Sequence, residues 1–410
     1  MKHTVFFTVC IVGALSHVYG QYDAGTGTRA AAMSNNHTAL QSGVPDLYWN
    51  PGALAFSVTR EFQVSLYGHS LNSNSTFFGT KEYDNIQRFR LANAGFSYAL
   101  PASRGGMSIA GSYSNPIILD DAFNFSGSYI SNDSLVHIND RMYHIMGNLD
   151  FWTLGFGIQV APNFGIGMSA ALVSGKSDAK DRFNKSFTLN DSYGSFVSEN
   201  SYEGTYTGFD ARIGLLYKFE QFQTGVRLVL PRIMHFTETS SGTDGSGSDE
   251  YRLYSSFSGA WGVSTQLPFC TVSAEVRSTL PYDFLFPIED IPSDCQAGYF
   301  KTGGGAGVEI PLIVIPAVAR FGYSYDELDL HPWVYDFIQE PHDTRTIDWS
   351  DNGIRVNRNL HRVSTGIGFT SATTSFDISY TFSTWGLTTN EILKQIYHMN
   401  RIFTSFTIRF

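Results

Sequence analysis

Arg401-Ile402-Phe403-Thr404-Ser405-Phe406-Thr407-Ile408-Arg409-Phe410 decides how this chain is read. Ile402, Phe406, Ile408 and Phe410 fall on one side of an extended backbone, and Phe403, Ser405, Thr407 and Arg409 on the other. Successive side chains of a strand point to opposite faces, so this is a strand with one greasy face and one mostly wettable face. Such a strand, left alone, offers a row of unpaired backbone groups on which other chains can aggregate. Pairing it with the first strand of the same sheet closes a barrel and removes the edge.

The pattern recurs from residue 59 onward. Trp152, Leu154, Phe156, Ile158 and Val160 alternate with Thr153, Gly155, Gly157 and Gln159. Phe209, Ala211, Ile213, Leu215, Tyr217 and Phe219 alternate with Asp210, Arg212, Gly214, Leu216 and Lys218. Val272, Ala274 and Val276 flank Ser273, Glu275 and Arg277, and Phe376, Ile378, Tyr380 and Phe382 flank Ser375, Asp377, Ser379 and Thr381. The segments number about fourteen, even as bacterial membrane barrels require. Their connections alternate in length. Short ones lie near 101–104, 161–163, 220–221, 267–269, 311–313 and 371–373. Long polar ones lie near 72–90, 116–140, 176–202, 238–250, 281–297, 326–358 and 385–399. A membrane barrel keeps short turns at one rim and long loops at the other, whereas a soluble β-sandwich has no reason to keep every second connection short. The fold class expected is therefore all-β, a transmembrane antiparallel β-barrel of about fourteen strands spanning residues 58–410.

Composition agrees. The 410-residue chain has a formal net charge of -10, which argues against a nucleic-acid partner. Glycine (39) and aromatic residues (15%) are abundant and charged residues (16%) sparse, which suits a barrel with aromatic girdles and also a secreted sandwich. Residues 1–20 read as a secretory signal: Lys2 and His3 form a basic head, Thr4 to Leu15 an apolar run, and Val18-Tyr19-Gly20 a cleavage site before Gln21. No later stretch holds the roughly 20 apolar residues of a transmembrane helix. Cys10 would leave with the signal. Cys270 begins a strand beside a short turn, while Cys295 ends a long loop. They are expected on opposite membrane faces, about 30 Å apart, beyond disulfide reach and so as free thiols.

Residues 21–57 lack alternation. Ala30-Ala31-Ala32-Met33 favours helix between Gly27 and Ser34, and Leu47-Tyr48-Trp49-Asn50-Pro51-Gly52-Ala53-Leu54-Ala55 is a turn-rich apolar knot. This is read as a plug with one or two short helices. The wettable faces of the strands carry Asp210, Arg212, Lys218, Arg227, Glu275, Arg277, Glu309, Arg320, Asp377 and Arg409. Charge facing lipid is costly, so these belong in the lumen. Their signs interleave, which favours pairing with each other or with the plug over an ion-selective ring.

Gly25-Thr26-Gly27-Thr28-Arg29-Ala30-Ala31-Ala32-Met33, followed by Tyr48-Trp49-Asn50-Pro51-Gly52-Ala53-Leu54-Ala55, resembles the opening of FadL-type outer-membrane transporters. Those begin with a glycine- and alanine-rich hatch and an Asn-Pro-Ala-Gly-Leu-like motif before strand one. The likeness extends in outline along the strands, including Ile213-Gly214-Leu215-Leu216-Tyr217-Lys218 and Thr224-Gly225-Val226-Arg227. The chain departs from that pattern at Gly52-Ala53, Ser34 and Val44-Pro45-Asp46. The resemblance implies a plugged fourteen-stranded barrel. It would pass long-chain fatty acids or other hydrophobic compounds passively, through a kinked wall strand and hatch rearrangement, without enzymatic activity or cofactor. The PorV-type components of type IX secretion, which hold secreted proteins, share an Asn-Pro motif in their leader and are the alternative. The terminal Phe410 resembles the signal by which bacterial outer-membrane barrels are recognised for assembly. Expected partners are therefore the barrel-assembly machinery, outer-membrane lipid and lipopolysaccharide, and hydrophobic small molecules, with the barrel a monomer.

Candidate ligand-binding residues are the apolar clusters Ile117, Ile118, Leu119, Phe123 and Phe125 in the second long connection and Phe284, Leu285, Phe286 and Ile288 in the fifth. They serve either a greasy cargo or loop-to-loop packing. Asn115-Pro116 is expected to bend or end the third strand, since proline donates no ladder hydrogen bond. Asn50-Pro51-Gly52 forces a turn in the leader, as structure or as gate. Asp120-Asp121 reads as a solvated acidic loop or a calcium pair. His137 and His144 read as rim residues without metal spacing. No glycine-rich phosphate loop and no nucleophile–base pair is discernible.

Overall fold

The alternating segments pair into one antiparallel sheet that closes on itself. The computed structural model describes residues 22–101, 105–131, 134–189, 192–243, 245–280, 300–328, 359–389 and 393–410. A two-residue strand, β1 (Tyr22–Asp23), lies inside. The wall begins with β2 (Glu61–Phe77), β3 (Thr80–Leu100), β4 (Met107–Ile118) continued by β5 (Asp121–Ser131), β6 (Ser134–Ala161), β7 (Phe164–Leu189) and β8 (Ser192–Lys218). It goes on with β9 (Phe222–Val229) continued by β10 (Ile233–Gly242), and β11 (Gly245–Tyr254) continued by β12 (Ser258–Leu267). It ends with β13 (Cys270–Thr279), β14 (Lys301–Leu312), β15 (Ala317–Glu327), β16 (Asn359–Thr370), β17 (Thr374–Thr389) and β18 (Leu393–Arg409). Each continued pair forms one wall strand, so the wall has fourteen. β18 pairs with β2 from Leu393↔Phe77 to Arg409↔Glu61, and the Phe410 N–H donates to the Arg60 carbonyl at 3.0 Å.

Alternation resolves into outside and inside. On β6 Trp152, Leu154, Phe156, Ile158 and Val160 are exposed, while Phe151 and Gly157 are buried. Phe209, Trp261, Val276, Phe321, Val363 and Ile402 continue the exposed apolar surface around the wall. A surface of this kind matches hydrocarbon rather than water, and makes this a membrane-spanning barrel. No helix among the described residues is long and apolar enough to cross a membrane; the strands cross it.

One expectation fails. The segments read as long polar connections at 72–90, 116–140, 176–202 and 238–250 are largely strand. β6 alone has 28 residues. At about 3.3 Å per residue it far exceeds an apolar band about 25 Å tall. Past the lipid, one face no longer has to be greasy. In β7 exposed Lys176, Asp178 and Lys180 alternate with buried Ser177 and Ala179, so the outer face is no longer greasy and the apolar period-two signal vanishes although the ladder continues to Leu189↔Ser192.

Residues 22–57 fill the lumen. They hold α1 (Thr28–Ala32), α2 (Asp46–Trp49) and a 3-10 helix (Pro51–Phe56). Ala30, Ala31, Ala32, Met33, Leu47, Trp49, Ala53 and Leu54 are all buried. Wall glycines make room for this hatch. A Cβ on Gly214 would lie 2.1 Å from Asn50 Oδ1, and one on Gly167 2.1 Å from the Pro51 carbonyl oxygen. Cys270 opens β13 as a free thiol; residues 1–20 and Cys295 lie outside the described residues.

Candidate functional site

The hatch is fastened by polar contacts that reach wall backbone and wall charge. Asn50 is fully buried. Its Nδ2 donates to the Thr38 carbonyl at 2.6 Å within the hatch and to the Leu215 carbonyl at 2.9 Å on β8. Its Oδ1 accepts from Gly52 N–H at 3.0 Å, capping the 3-10 helix, where Pro51 needs no donor. The side-chain amide thus ties turn, hatch and wall together.

The lumen charges are paired or set against the hatch. Arg212 Nε donates to Asp210 at 2.8 Å and its Nη1 to the Tyr48 carbonyl at 2.6 Å, with the guanidinium 3.6 Å from the Tyr48 ring centroid. Arg232 holds the other Asp210 oxygen at 3.0 Å. Glu275 accepts from the His37 and Thr38 N–H groups at 3.0 and 2.8 Å, and Arg277 lies between Glu275 and Asp326. Arg227 stacks over Trp49. Arg320 bridges Glu309 at 3.3 Å and Asp377 at 2.6 Å, and Arg29 of the hatch donates to Glu309 at 2.7 Å. Beside this last group is a polar cavity of about 290 Å³, lined among others by Arg29, Gln41, Glu61, Gln63, Asp377 and Arg409. Glu61 and Arg409 mark it as lying at the rim with the short turns, where β18 meets β2.

The third wall strand breaks at Asn115-Pro116. β4 pairs with β3 only as far as Ser114↔Asn93. Its register on β6 shifts between Ser114 and Ile117. Above that point the edge released by β3 is taken by the hatch: Tyr22 pairs with Ile118, Asp23 with Ile117, and Ala24 N–H donates to the Pro116 carbonyl at 2.7 Å. β5 then continues on β6 without a β-ladder to β3. Asn115 Nδ2 donates to Asp150 at 2.7 Å and its Oδ1 accepts from Tyr67 at 3.0 Å.

Inside the break lies the largest buried apolar cluster among the described residues, which includes Tyr22, Tyr67, Leu71, Ile86, Ile118, Tyr397, Met399 and Phe403. Arg401 projects among them, 1% exposed. Its guanidinium lies 4.7 Å from the Tyr22 ring centroid and 5.1 Å from that of Phe403. None of its three nitrogens has a hydrogen-bond partner among the described residues. Nearby Arg362 is satisfied, donating to Tyr22 Oη at 3.2 Å and to the Asp23 carbonyl at 3.3 Å.

The predicted pocket residues divide among three clusters. Ile118 belongs to the Arg401 cluster, Ile117 and Leu119 pack with Phe151, Tyr206 and Phe236, and Phe123 and Phe125 pack with Phe77 and Tyr143. All five are buried, on strand ends and at the break rather than in a loop. Phe284, Leu285, Phe286 and Ile288 lie outside the described residues. Asp120 is not solvated: it is buried and contacts His69 at 2.7 Å and Arg90 at 3.5 Å. His144 is paired with Asp84. Among the described residues no cluster of His, Cys, Asp or Glu is arranged to hold a metal ion. Sequence reasoning missed Arg401 and Tyr22. An inward arginine with partners and one without look alike in sequence, and β1 is too short for a periodic signal.

No protein-family model and no curated protein matches this chain. Solved structures do. A FadL homologue of Pseudomonas aeruginosa superposes with a TM-score of 0.61 at 11% identity, covering 94% of this chain and 98% of its own. The P. putida toluene transporter TodX gives 0.62 at 14% identity over 95% and 99%, and the Ralstonia pickettii toluene transporter TbuX 0.60 at 13% over 95% and 99%. At these identities the likeness is one of fold: the chain has the FadL-type fold, a plugged fourteen-stranded barrel.

Proposed function

We propose that this barrel is a bacterial outer-membrane transporter that takes long-chain fatty acids from outside and releases them sideways into lipid. The observation that carries the reading is the break in the third wall strand, where β4 leaves β3 and turns into a buried apolar cluster. Apolar molecules cross a water-filled pore poorly, whereas a wall strand that breaks beside a buried apolar cluster offers them a way toward lipid. The region below the cluster is unsuited to such cargo, because the hatch is ion-bridged to the wall and the cavity beside it is lined with charge. The acid class is supported by Arg401. A buried guanidinium without acceptors is costly, and a cargo carboxylate is the group that would satisfy it. The toluene transporters of the same fold carry a neutral cargo by name, so Arg401 is what favours an acid here. The test is uptake of a labelled long-chain fatty acid by cells lacking the gene and by the same cells with it restored; equal uptake refutes the proposal.

A further inference from the structure

Above the break the wall is two layers thick. The side of β6 that shows Trp152, Leu154 and Phe156 to lipid continues upward as Asp150, Asn148 and His144. There the inner face of the β2–β3 hairpin lies over it. Arg90 donates to Asn148 Oδ1 and to the Gly147 carbonyl, and His144 meets Asp84. Leu71 and Ile86 of the hairpin share a buried cluster with Ile118 and Ala122. The seam is lapped, and a cargo leaving sideways has to part the two layers.

We infer that Asp120 is the latch of this seam. It stands at the interruption between β4 and β5, with its side chain buried. One oxygen accepts from Gly147 N–H at 2.8 Å, which fixes it to the inner layer. The same oxygen faces Arg90 Nη2 at 3.5 Å, and the other meets His69 Nε2 at 2.7 Å. Arg90 and His69 both belong to the outer hairpin, so a single carboxylate joins the layers at two points. A buried carboxylate is expensive unless paired, so the closed seam is favoured while both partners stand and weakened when either is removed. The inference rests on the sideways exit proposed above.

The test uses Arg90→Ala and His69→Ala, with Arg90→Lys as the variant that keeps the charge, all in the full-length chain. Each variant is first shown to fold by its heat-dependent shift in gel mobility. Seam opening is read from Ala122→Cys in a Cys270→Ser, Cys295→Ser background, as the rate of reaction with a membrane-permeant maleimide. Passage is read as uptake of a fluorescent long-chain fatty acid. Arg90→Ala and His69→Ala are expected to raise both rates about tenfold, and Arg90→Lys to stay near the parent. Unchanged maleimide reactivity in both alanine variants overturns the latch. So does raised reactivity with unchanged uptake where the parent itself takes up cargo. A parent no better than cells without the barrel removes the transport reading instead, and the maleimide rates alone then decide the latch.

Discussion

The guanidinium of Arg401 lies over the ring of Tyr22, 4.7 Å from its centroid, so the last wall strand and the first residues of the hatch meet at a buried cation. Replacing it with leucine separates its two effects. Arg401→Leu removes a charge without an acceptor, so the barrel is expected to gain stability, by about 1 kcal/mol or more, seen as a higher temperature for the gel-mobility shift. Fatty-acid binding to the purified barrel is expected to fall about tenfold or more, the worth of a charge-assisted hydrogen bond. Binding that stays the same removes Arg401 from the cargo site.

Asn50→Ala deletes the contacts to Thr38, Leu215 and Gly52 and leaves two carbonyls, that of Thr38 buried and that of Leu215 part-buried, short of a donor. The hatch is expected to loosen by about 2–3 kcal/mol. Ion conductance of the barrel in a planar bilayer reports it, and should rise above that of the parent.

Gly214→Val puts a side chain where Asn50 Oδ1 stands and displaces the hatch. Trypsin is expected to cleave after Arg29 in this variant faster than in the parent. Gly68→Ala is the matched control, because its Cβ would meet nothing closer than 3.5 Å, and its cleavage should match the parent.

Glu238 sits above the lipid-facing part of the wall, on β10. Burial, with Asp249 directly opposite on β11, pushes its carboxyl up to about 7. The folded chain therefore holds this proton at pH values where the unfolded chain has lost it. Its contribution to stability is full below the ordinary carboxylate range and is lost as pH rises toward 7. Glu238→Gln removes that loss. Amide hydrogen exchange in the β10–β11 hairpin, corrected for intrinsic rates, should be slower in the variant at pH 8 and equal to the parent at pH 4.

The barrel is legible in the sequence because lipid and lumen impose opposite demands on neighbouring residues, as Trp152 and Thr153 or Phe209 and Asp210 show. Closure is legible in the alternation of Ile402, Phe406 and Ile408, which lie opposite Gly68, Val64 and Phe62. The extensions above the membrane are not, since exposed Lys176 and buried Ser177, which meets Tyr206 at 3.2 Å, are both polar and give no greasy-wettable contrast. At the site, Asn115-Pro116 marks the break because proline cannot donate. Asp120 misleads: beside Asp121 it reads as a wet acidic pair, and its partners His69 and Arg90 come from a distant hairpin that no local pattern connects to it. Arg401 is visible as an inward residue, but whether it has a partner depends on which strands converge on it.

The closure of β18 on β2 bears on biogenesis. The hatch precedes every wall strand in the chain and β18 follows the other thirteen, and the ring has no continuous circumference until both edges meet along Leu393↔Phe77 to Arg409↔Glu61. Asn50 and Pro51 fill niches at Gly214 on β8 and Gly167 on β7, strands that precede β18, so the hatch can seat before the ring closes. The sheet can thus be assembled around its own stopper. A truncated chain lacking β18 should stall as an open, hatch-bearing curl rather than as a narrower barrel.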